Sequence, residues 1–393
     1  MLRSNIAKFL RTAVIHKRIL PALLLISLSF GVFAYCDSFT IHASDAIPLS
    51  ASSAVLIDAD SGKVLYEKNA NEKRGQASTT KIMTAIIALE RSNNGDVVKV
   101  SPKAVGIEGS SVYLQSGEAL TMEELVYALM LESANDAAAA IAYEIAGGIP
   151  EFSVLMNEKA AELGLSNTHF TNPHGLSDEE HYTTALDLAI LTSYAMQNDV
   201  FCNIVSTQKK YICTESQTPR LLINHNKLLR IYDGAIGVKT GFTKNSGRCL
   251  VSAAEKDGLR LIAVTLNAPD DWNDHRAMLD YGFSKYTCAT LAEYGDIRFT
   301  VPVVGGEHSC AIFTNPHAAK AVIKEGEELS YKVELPRFVF GGFSQGDVFG
   351  RVVWYRSDGT IAAEAPLAAS FDVERTVYRS FFMRIWESLF SRG

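Results

Sequence analysis

The segment after Lys81 is almost wholly apolar, and Asn93-Asn94-Gly95 follow it. Its apolar side chains are Ile82, Met83, Ala85, Ile86, Ile87, Ala88 and Leu89. A helix that is apolar on every face has to be enclosed by other elements. The pattern therefore predicts a central helix from Lys81 to about Arg91, inside a domain with a sizeable core.

Strand patterns precede and follow a block of helical patterns. Residues 54–57 and 64–66 predict a hairpin around an Asp60-Ser61-Gly62 turn. Helical patterns cover 122–131, 136–146, 152–163 and 184–196, and strand patterns return at 235–240, 248–254 and 259–266. This order predicts an α+β fold, in which the first strands pair with the last in an antiparallel sheet with helices packed around it.

The pattern changes after Tyr286. Short β-type runs at 299–304, 330–335, 348–355 and 361–365 alternate with glycine-rich turns. We expect a main domain over residues 50–286 and a small all-β sandwich domain over residues 287–372.

The N-terminus has the layout of a secretory signal peptide. Five basic residues precede an apolar stretch from Ile19 to about Ala34, and small residues follow near Ala43-Ser44-Asp45-Ala46. We expect residues 1–46 to be a signal peptide, with an uncleaved membrane anchor as the alternative. Both place the rest of the chain outside the cytoplasm.

The C-terminal residues 373–393 predict an amphipathic helix. The apolar face holds Val377, Tyr378, Phe381, Phe382, Ile385, Trp386, Leu389 and Phe390, and the charged residues Arg375, Arg379, Arg384, Glu387 and Arg392 lie among the other positions. An aromatic face opposite arginines is typical of a helix that lies in a membrane interface. The alternative is a helix that packs on the protein's own core.

Composition excludes several classes of protein. The chain is 47% hydrophobic and 21% charged, which argues against a disordered or polytopic membrane protein. A net charge of −7 without a long basic run makes nucleic acid an unexpected partner. Six cysteines without a CxxC pair argue against a structural zinc site. The chemistry therefore has to come from short motifs.

The first motif is Ser78-Thr79-Thr80-Lys81, at the start of the apolar helix. Residues three apart on a helix share a face, so Ser78 and Lys81 can share a hydrogen bond. A lysine at the entrance of a buried helix is partly desolvated, which lowers its pKa and suits it to act as a base. The alternative is that Ser78 only caps the helix.

Two further motifs follow along the chain. Ser133-Ala134-Asn135 lies between two predicted helices, where a serine or asparagine is also an ordinary cap. Lys239-Thr240-Gly241 ends a predicted strand, where a lysine and a hydroxyl can hold a carboxylate and the strand edge can pair with an extended peptide. The alternative for Lys239-Thr240-Gly241 is a strand that leads into a plain turn.

Together, SxxK, SxN and KTG in this order are the signature set of penicillin-binding proteins and serine β-lactamases. The chain resembles, more narrowly, the low-molecular-mass D-alanyl-D-alanine carboxypeptidases, serine peptidase family S11. The likeness runs from about Ser52 to Tyr286. It includes Asn172-Pro173-His174-Gly175-Leu176, Gly237-Val238-Lys239-Thr240-Gly241-Phe242-Thr243 and Asp280-Tyr281-Gly282-Phe283.

The resemblance implies a β-lactamase/transpeptidase-like catalytic domain that removes the terminal D-alanine from peptidoglycan stem peptides through an acyl-enzyme. It implies Ser78 as nucleophile, Lys81 as base and Ser133 as proton shuttle. The substrate-binding residues would be Asn135, Lys239, Thr240, Gly241 and Phe242. β-Lactam antibiotics would be covalent inhibitors, the membrane surface would bind the C-terminal helix, and no metal or organic cofactor is expected.

Several points stay open on the sequence alone. Nothing places His174 near Ser78, and spacing does not choose between Arg248 and Arg276 as a further positive charge for the substrate carboxylate. A DD-endopeptidase acting on cross-links shares the motifs. So does a serine β-lactamase, and a catalytically silent peptidoglycan-binding protein can keep the fold.

Overall fold

The computed structural model describes residues 47–212 and 219–376. The predicted signal peptide in residues 1–46 lies outside the described residues, and so does the predicted C-terminal helix from residue 377 onwards. The prediction that this helix begins at Val373 is wrong. Val373 forms a β-bridge with Phe343, and Arg375 forms one with Gly306.

The first part of the chain combines strands and helices. In chain order its elements are β1 (Ser53–Asp58), β2 (Val64–Lys68), α1 (Lys81–Arg91), β3 (Val97–Lys99), β4 (Ala119–Thr121), α2 (Met122–Leu131), α3 (Asn135–Ala146), α4 (Ile149–Glu162), α5 (Ala185–Ala195), α6 (Asp199–Ser206), β5 (Lys209–Ile212), β6 (Arg220–Ile223), α7 (Leu228–Ile231), β7 (Ala235–Thr243), β8 (Gly247–Lys256), β9 (Leu259–Leu266) and α8 (Asp271–Lys285).

Five of these strands form an antiparallel sheet in the order β2-β1-β9-β8-β7. Strand β1 pairs with β9 in a register that places Leu56 opposite Ala263. The α+β class is therefore confirmed, and so is the pairing of the first strands with the last. The order leaves β7 at an edge of this sheet.

Helix α1 lies in the core, as its sequence predicts. Every residue from Lys81 to Ala88 is buried. The helix belongs to one large apolar cluster with residues of the sheet and of α2 to α6. Among residues 47–212 and 219–376, no single helix is long and apolar enough to cross a membrane; α3 and α4 reach that composition only as a pair bent by 83°.

Helix α8 was not predicted, because the buried residues of its first half are polar, and Met278 and Leu279 are its fully buried apolar side chains. His275 is fully buried between the hydroxyls of Ser252 (2.5 Å) and Thr265 (2.9 Å). Asp274 accepts hydrogen bonds from the backbone of Ser50 and Ala51. Polar groups at buried positions interrupt the apolar periodicity that predicts a helix.

The residues after α8 are all β. In chain order the strands are β10 (Tyr286–Ala292), β11 (Arg298–Val304), β12 (Cys310–Thr314), β13 (Ala319–Lys324), β14 (Ser330–Glu334), β15 (Val339–Phe340), β16 (Val348–Tyr355) and β17 (Ile361–Ala369). Six form a sheet in the order β14-β16-β17-β12-β11-β15, and β10 pairs with β13. The sequence predicted four of these strands and missed β10, β12, β13 and β15.

Candidate active site

Ser78 lies in a short 3-10 turn, Ala77–Thr80, that leads into α1. The residue that caps α1 is Thr80, and no side chain makes a capping hydrogen bond there. The interpretation of Ser78 as a helix cap is therefore wrong. Its hydroxyl is half-buried at the surface of the protein, where it can meet a substrate.

Lys81 is fully buried, and its Nζ lies among three oxygens. These are Ser78 Oγ at 2.9 Å, Asn135 Oδ1 at 2.8 Å and the backbone carbonyl of His174 at 2.5 Å. Burial holds the pKa of Lys81 well below its ordinary value, and the positive charge of Lys239 lowers it further. This environment favours a neutral amine.

The Ser133-Ala134-Asn135 segment brings the start of α3 against Lys81. Helix α3 begins at Asn135, and its cap residue is Ala134, so neither Ser133 nor Asn135 caps the helix as the alternative required. Ser133 has a φ of 59°, a left-handed conformation that a serine rarely adopts and that is common at functional sites. Asn135 uses both polar atoms within the protein, since Nδ2 donates to the carbonyl of Glu108.

Lys239, on edge strand β7, is also buried, with 1% of its surface exposed. Its Nζ donates to the carbonyl of Thr240 at 3.0 Å. Burial lowers the pKa of Lys239 to about 7. A Cβ at Gly241 would lie 3.0 Å from the amide nitrogen of Ser78, so the strand edge passes directly beside the backbone of Ser78.

A cleft of about 390 Å³ opens at Ser78, Ser133 and Thr240, whereas the buried residues Lys81, Asn135 and Lys239 are not among its lining residues. It is lined by Ser78, Ser110, Ser133, His225, Lys227, Thr240, Gly241, Phe242, Arg248, Asp271 and Trp272. Of the two arginines that the sequence left open, Arg248 lines the cleft, where it pairs with the buried Asp271 at 2.9 Å. The side chain of Phe242 is 66% exposed at this surface.

The residues around His174 contribute more than the sequence indicated. The backbone carbonyl of His174, not its ring, contacts Lys81. Burial is the main cause that lowers the pKa of the His174 ring to about 3, so the ring is neutral. Gly175 has a φ of 85°, and a Cβ there would lie 1.9 Å from the carbonyl oxygen of Ala77. The loop that contains His174 and Gly175 therefore packs backbone to backbone against the turn that contains Ser78.

This packing predicts a large effect of Gly175→Ala. The left-handed backbone costs an alanine about 1 kcal/mol, and the clash with Ala77 adds about 2 kcal/mol more. Gly164→Ala is the matched control, because Gly164 has a φ of 72° and a Cβ there would have no atom within 4 Å. Chemical denaturation should show the larger loss of stability for Gly175→Ala, together with slower penicillin labelling. Equal losses in the two variants would contradict the close packing.

The family model of D-alanyl-D-alanine carboxypeptidases (peptidase S11) matches residues 39–270. The D-alanyl-D-alanine carboxypeptidase DacF of Bacillus subtilis is 34% identical over 381 residues, which cover 94% of this chain and 97% of that protein. The D-alanyl-D-alanine carboxypeptidase DacC of Escherichia coli is 30% identical over 377 residues, with 91% of each chain covered.

Solved structures of two other proteins have a fold similar to that of this chain. Penicillin binding protein 5 from Haemophilus influenzae is 27% identical, with a TM-score of 0.69 over 83% of this chain and 98% of that chain. The peptidoglycan synthesis regulatory factor PBP3 from Streptococcus pneumoniae is 25% identical, with a TM-score of 0.73 over 83% of this chain and 100% of that one.

Proposed function

Because the chain belongs to the peptidase S11 family of serine D-alanyl-D-alanine carboxypeptidases, which bind penicillin and remove the terminal D-alanine of peptidoglycan peptides, we propose which of its residues perform that reaction. Ser78 is the nucleophile, Lys81 the base and Ser133 the proton shuttle. Lys239, Thr240, Gly241 and Phe242 bind the substrate.

The contacts of Lys81 carry this proposal. A neutral amine has two N–H groups and one lone pair. Two of its three partners, Asn135 Oδ1 and the His174 carbonyl, have no hydrogen and can only accept. They take the two N–H groups, so the lone pair faces Ser78 Oγ, the one partner that carries a proton.

Acylation follows from this arrangement. The lone pair of Lys81 takes the hydroxyl proton as Ser78 Oγ attacks the carbonyl carbon of the penultimate D-alanine. The backbone N–H groups of Ser78 and Phe242 stabilise the oxyanion, and the close approach of Gly241 to the Ser78 amide supports this pairing. The proton then passes through Ser133 to the leaving amine of the terminal D-alanine, and water hydrolyses the ester.

The substrate's terminal carboxylate sets the register. An extended peptide can pair with the free edge of β7, which places its carboxylate at Thr240 and near the buried charge of Lys239. Arg248 lines the same cleft, where its guanidinium pairs with Asp271 and can donate a further hydrogen bond to the substrate carboxylate. Asn135 binds the substrate, as the resemblance implies. Its contact with Lys81 supports an additional task, which is to hold the Lys81 amine in place.

The two lysines predict an opposing pH dependence. Lys81 has to lose its proton to act as base, so kcat/KM should rise with pH on the acid side. Lys239 is protonated below its pKa of about 7 and loses its charge above it, so KM for a D-Ala-D-Ala peptide should rise above about pH 7. Lys239→Arg keeps its charge and should lose this alkaline limb. Steady-state kinetics across the pH range test this, and an alkaline limb retained in Lys239→Arg would assign it elsewhere.

The decisive experiment for the reaction is digestion of purified muropeptides. We expect free D-alanine to appear while cross-linked dimers stay intact. Cleavage of the dimers at a comparable rate would indicate a DD-endopeptidase instead. Rapid turnover of penicillin would indicate a β-lactamase, and absence of covalent penicillin labelling would indicate a silent binding protein.

We also infer the arrangement of the chain in the cell envelope. Residues 50–286 form the peptidase domain, and residues 287–372 form a β-sandwich. The β-sandwich is supported by one apolar cluster that joins the six-stranded sheet to the β10–β13 pair. Its members include Ala292, Ala319, Phe313, Trp354 and Leu367. Peptidoglycan lies outside the plasma membrane, which agrees with a secreted enzyme held at the outer face through residues 377–393.

A further inference from the structure

The two edges of the six-stranded sheet differ in what they expose. Strand β15 forms one edge and β14 the other. Beside β15, Val304 is 49% exposed, Phe338 50% and Phe340 68%. The two phenylalanine rings contact each other edge to face, with centroids 5.5 Å apart, and Val304 is the register partner of Phe340. We call these three side chains the Phe340 edge.

The strand geometry fixes this exposure. Successive side chains of a strand point to opposite faces, and Val339, between the two phenylalanines, is buried in the core. Phe338 and Phe340 therefore cannot turn inwards while Val339 stays in place. A contiguous patch of exposed apolar side chains on a protein surface often marks a contact surface.

The described chain ends beside the Phe340 edge. The amide of Thr376 donates to the carbonyl of Gly305 at 2.8 Å, and Arg375 bridges to Gly306. The amide of Gly342 donates to the carbonyl of Val373 at 2.8 Å. Thr376, from which residues 377–393 continue, therefore lies next to Val304.

The sequence of residues 377–393 indicates what covers the Phe340 edge. Its predicted apolar face has eight large side chains, far more than three exposed side chains could cover. That face needs a larger apolar phase, and aromatic residues mixed with arginines suit the headgroup region of a bilayer. The exposed charged residues on the segments beside the Phe340 edge include Arg337, Arg375, Glu307 and Glu374, two of each sign, so its apolar side chains would provide the contact.

We propose that the Phe340 edge is a second membrane contact, inserted into the interface of a lipid bilayer beside the C-terminal segment. Two contacts fix the orientation of the β domain on the bilayer, which a single helix at the end of a chain does not. The proposal adds to the carboxypeptidase activity and does not depend on the catalytic roles assigned above.

Vesicle binding of the full chain tests this contact. With vesicles of phosphatidylcholine and phosphatidylglycerol, Phe338→Ser combined with Phe340→Ser should weaken the partition constant by about tenfold, since two apolar rings lose their burial. Tyr331→Ser is the matched control, because Tyr331 is 69% exposed on β14 at the opposite edge. Hydrolysis of a soluble D-Ala-D-Ala peptide should be the same in all variants, which also shows that they are folded.

A single substitution gives an independent readout. Phe340→Trp should add tryptophan fluorescence that brominated lipids quench, whereas Tyr331→Trp should add fluorescence that they do not quench. Equal partition of the double variant and the Tyr331→Ser control would overturn the proposal, and so would equal quenching at the two positions. Self-association that the double variant loses, with vesicle binding unchanged, would assign the Phe340 edge to a second copy of the chain.

Discussion

Ser78→Ala is expected to abolish acylation, with kcat on a D-Ala-D-Ala peptide reduced by a factor of at least about 10⁴ and no covalent label from penicillin. In the proposed reaction the hydroxyl oxygen of Ser78 forms the ester. Among the described residues, Ser78 is the one hydrogen-bond partner of Lys81 Nζ that carries a proton, at 2.9 Å. The fold should be unaffected, because the Ser78 side chain caps no helix.

A serine at the opposite end of α1 provides the control. Ser92 lies at the other end of α1, where its hydroxyl donates to the carbonyl of Ala88. Ser92→Ala should retain penicillin labelling and activity within about twofold, since an exposed helix end contributes little beyond local stability. Mass spectrometry of the labelled protein gives the readout. A penicilloyl adduct in Ser78→Ala would show that another residue is the nucleophile.

The part of the site that sequence could predict is the part set by local geometry. Ser78 and Lys81 are three residues apart at the start of a helix, and that spacing alone predicts their hydrogen bond. The position of Asn135 against Lys81 depends on how α3 packs on α1, which no spacing gives. The His174 carbonyl was missed for a different reason. A backbone carbonyl has no residue type, and this contact joins positions 93 apart.

The fold shows the same division. Helix α1 and the pairing of β1 with β9 follow from apolar patterns, because those elements bury apolar side chains. Helix α8 was not predicted because it buries His275 among hydroxyls. Burial lowers the pKa of His275 to about 3, so the ring is accommodated as a neutral group. The extended conformation of Val373 depends on a bridge to Phe343, a tertiary contact that overrides a helical pattern.

Lys81→Arg should be nearly as damaging as the loss of Ser78, although it keeps a positive charge. An arginine guanidinium stays protonated at every pH at which the protein is folded, so it has no lone pair to receive the Ser78 proton. We expect the rate of acylation by penicillin to fall by about 10³-fold or more. Lys81→Met, which has similar volume and no base, should fall equally far, and thermal unfolding of both variants shows whether they are folded.

Lys239→Arg is the control, because it distinguishes a lysine that is needed as a proton acceptor from one that is needed for its positive charge. Both lysines are buried, and burial lowers the pKa of each, but the proposed task of Lys239 is to attract the substrate carboxylate. Arginine keeps that charge but is larger than the lysine that the buried site holds, so Lys239→Arg should raise KM by about tenfold and change kcat little. Stopped-flow acylation and steady-state kinetics distinguish the two variants. If Lys81→Arg acylates as fast as Lys239→Arg, the base lies elsewhere, and a neutral Lys81 is not the source of the nucleophile's reactivity.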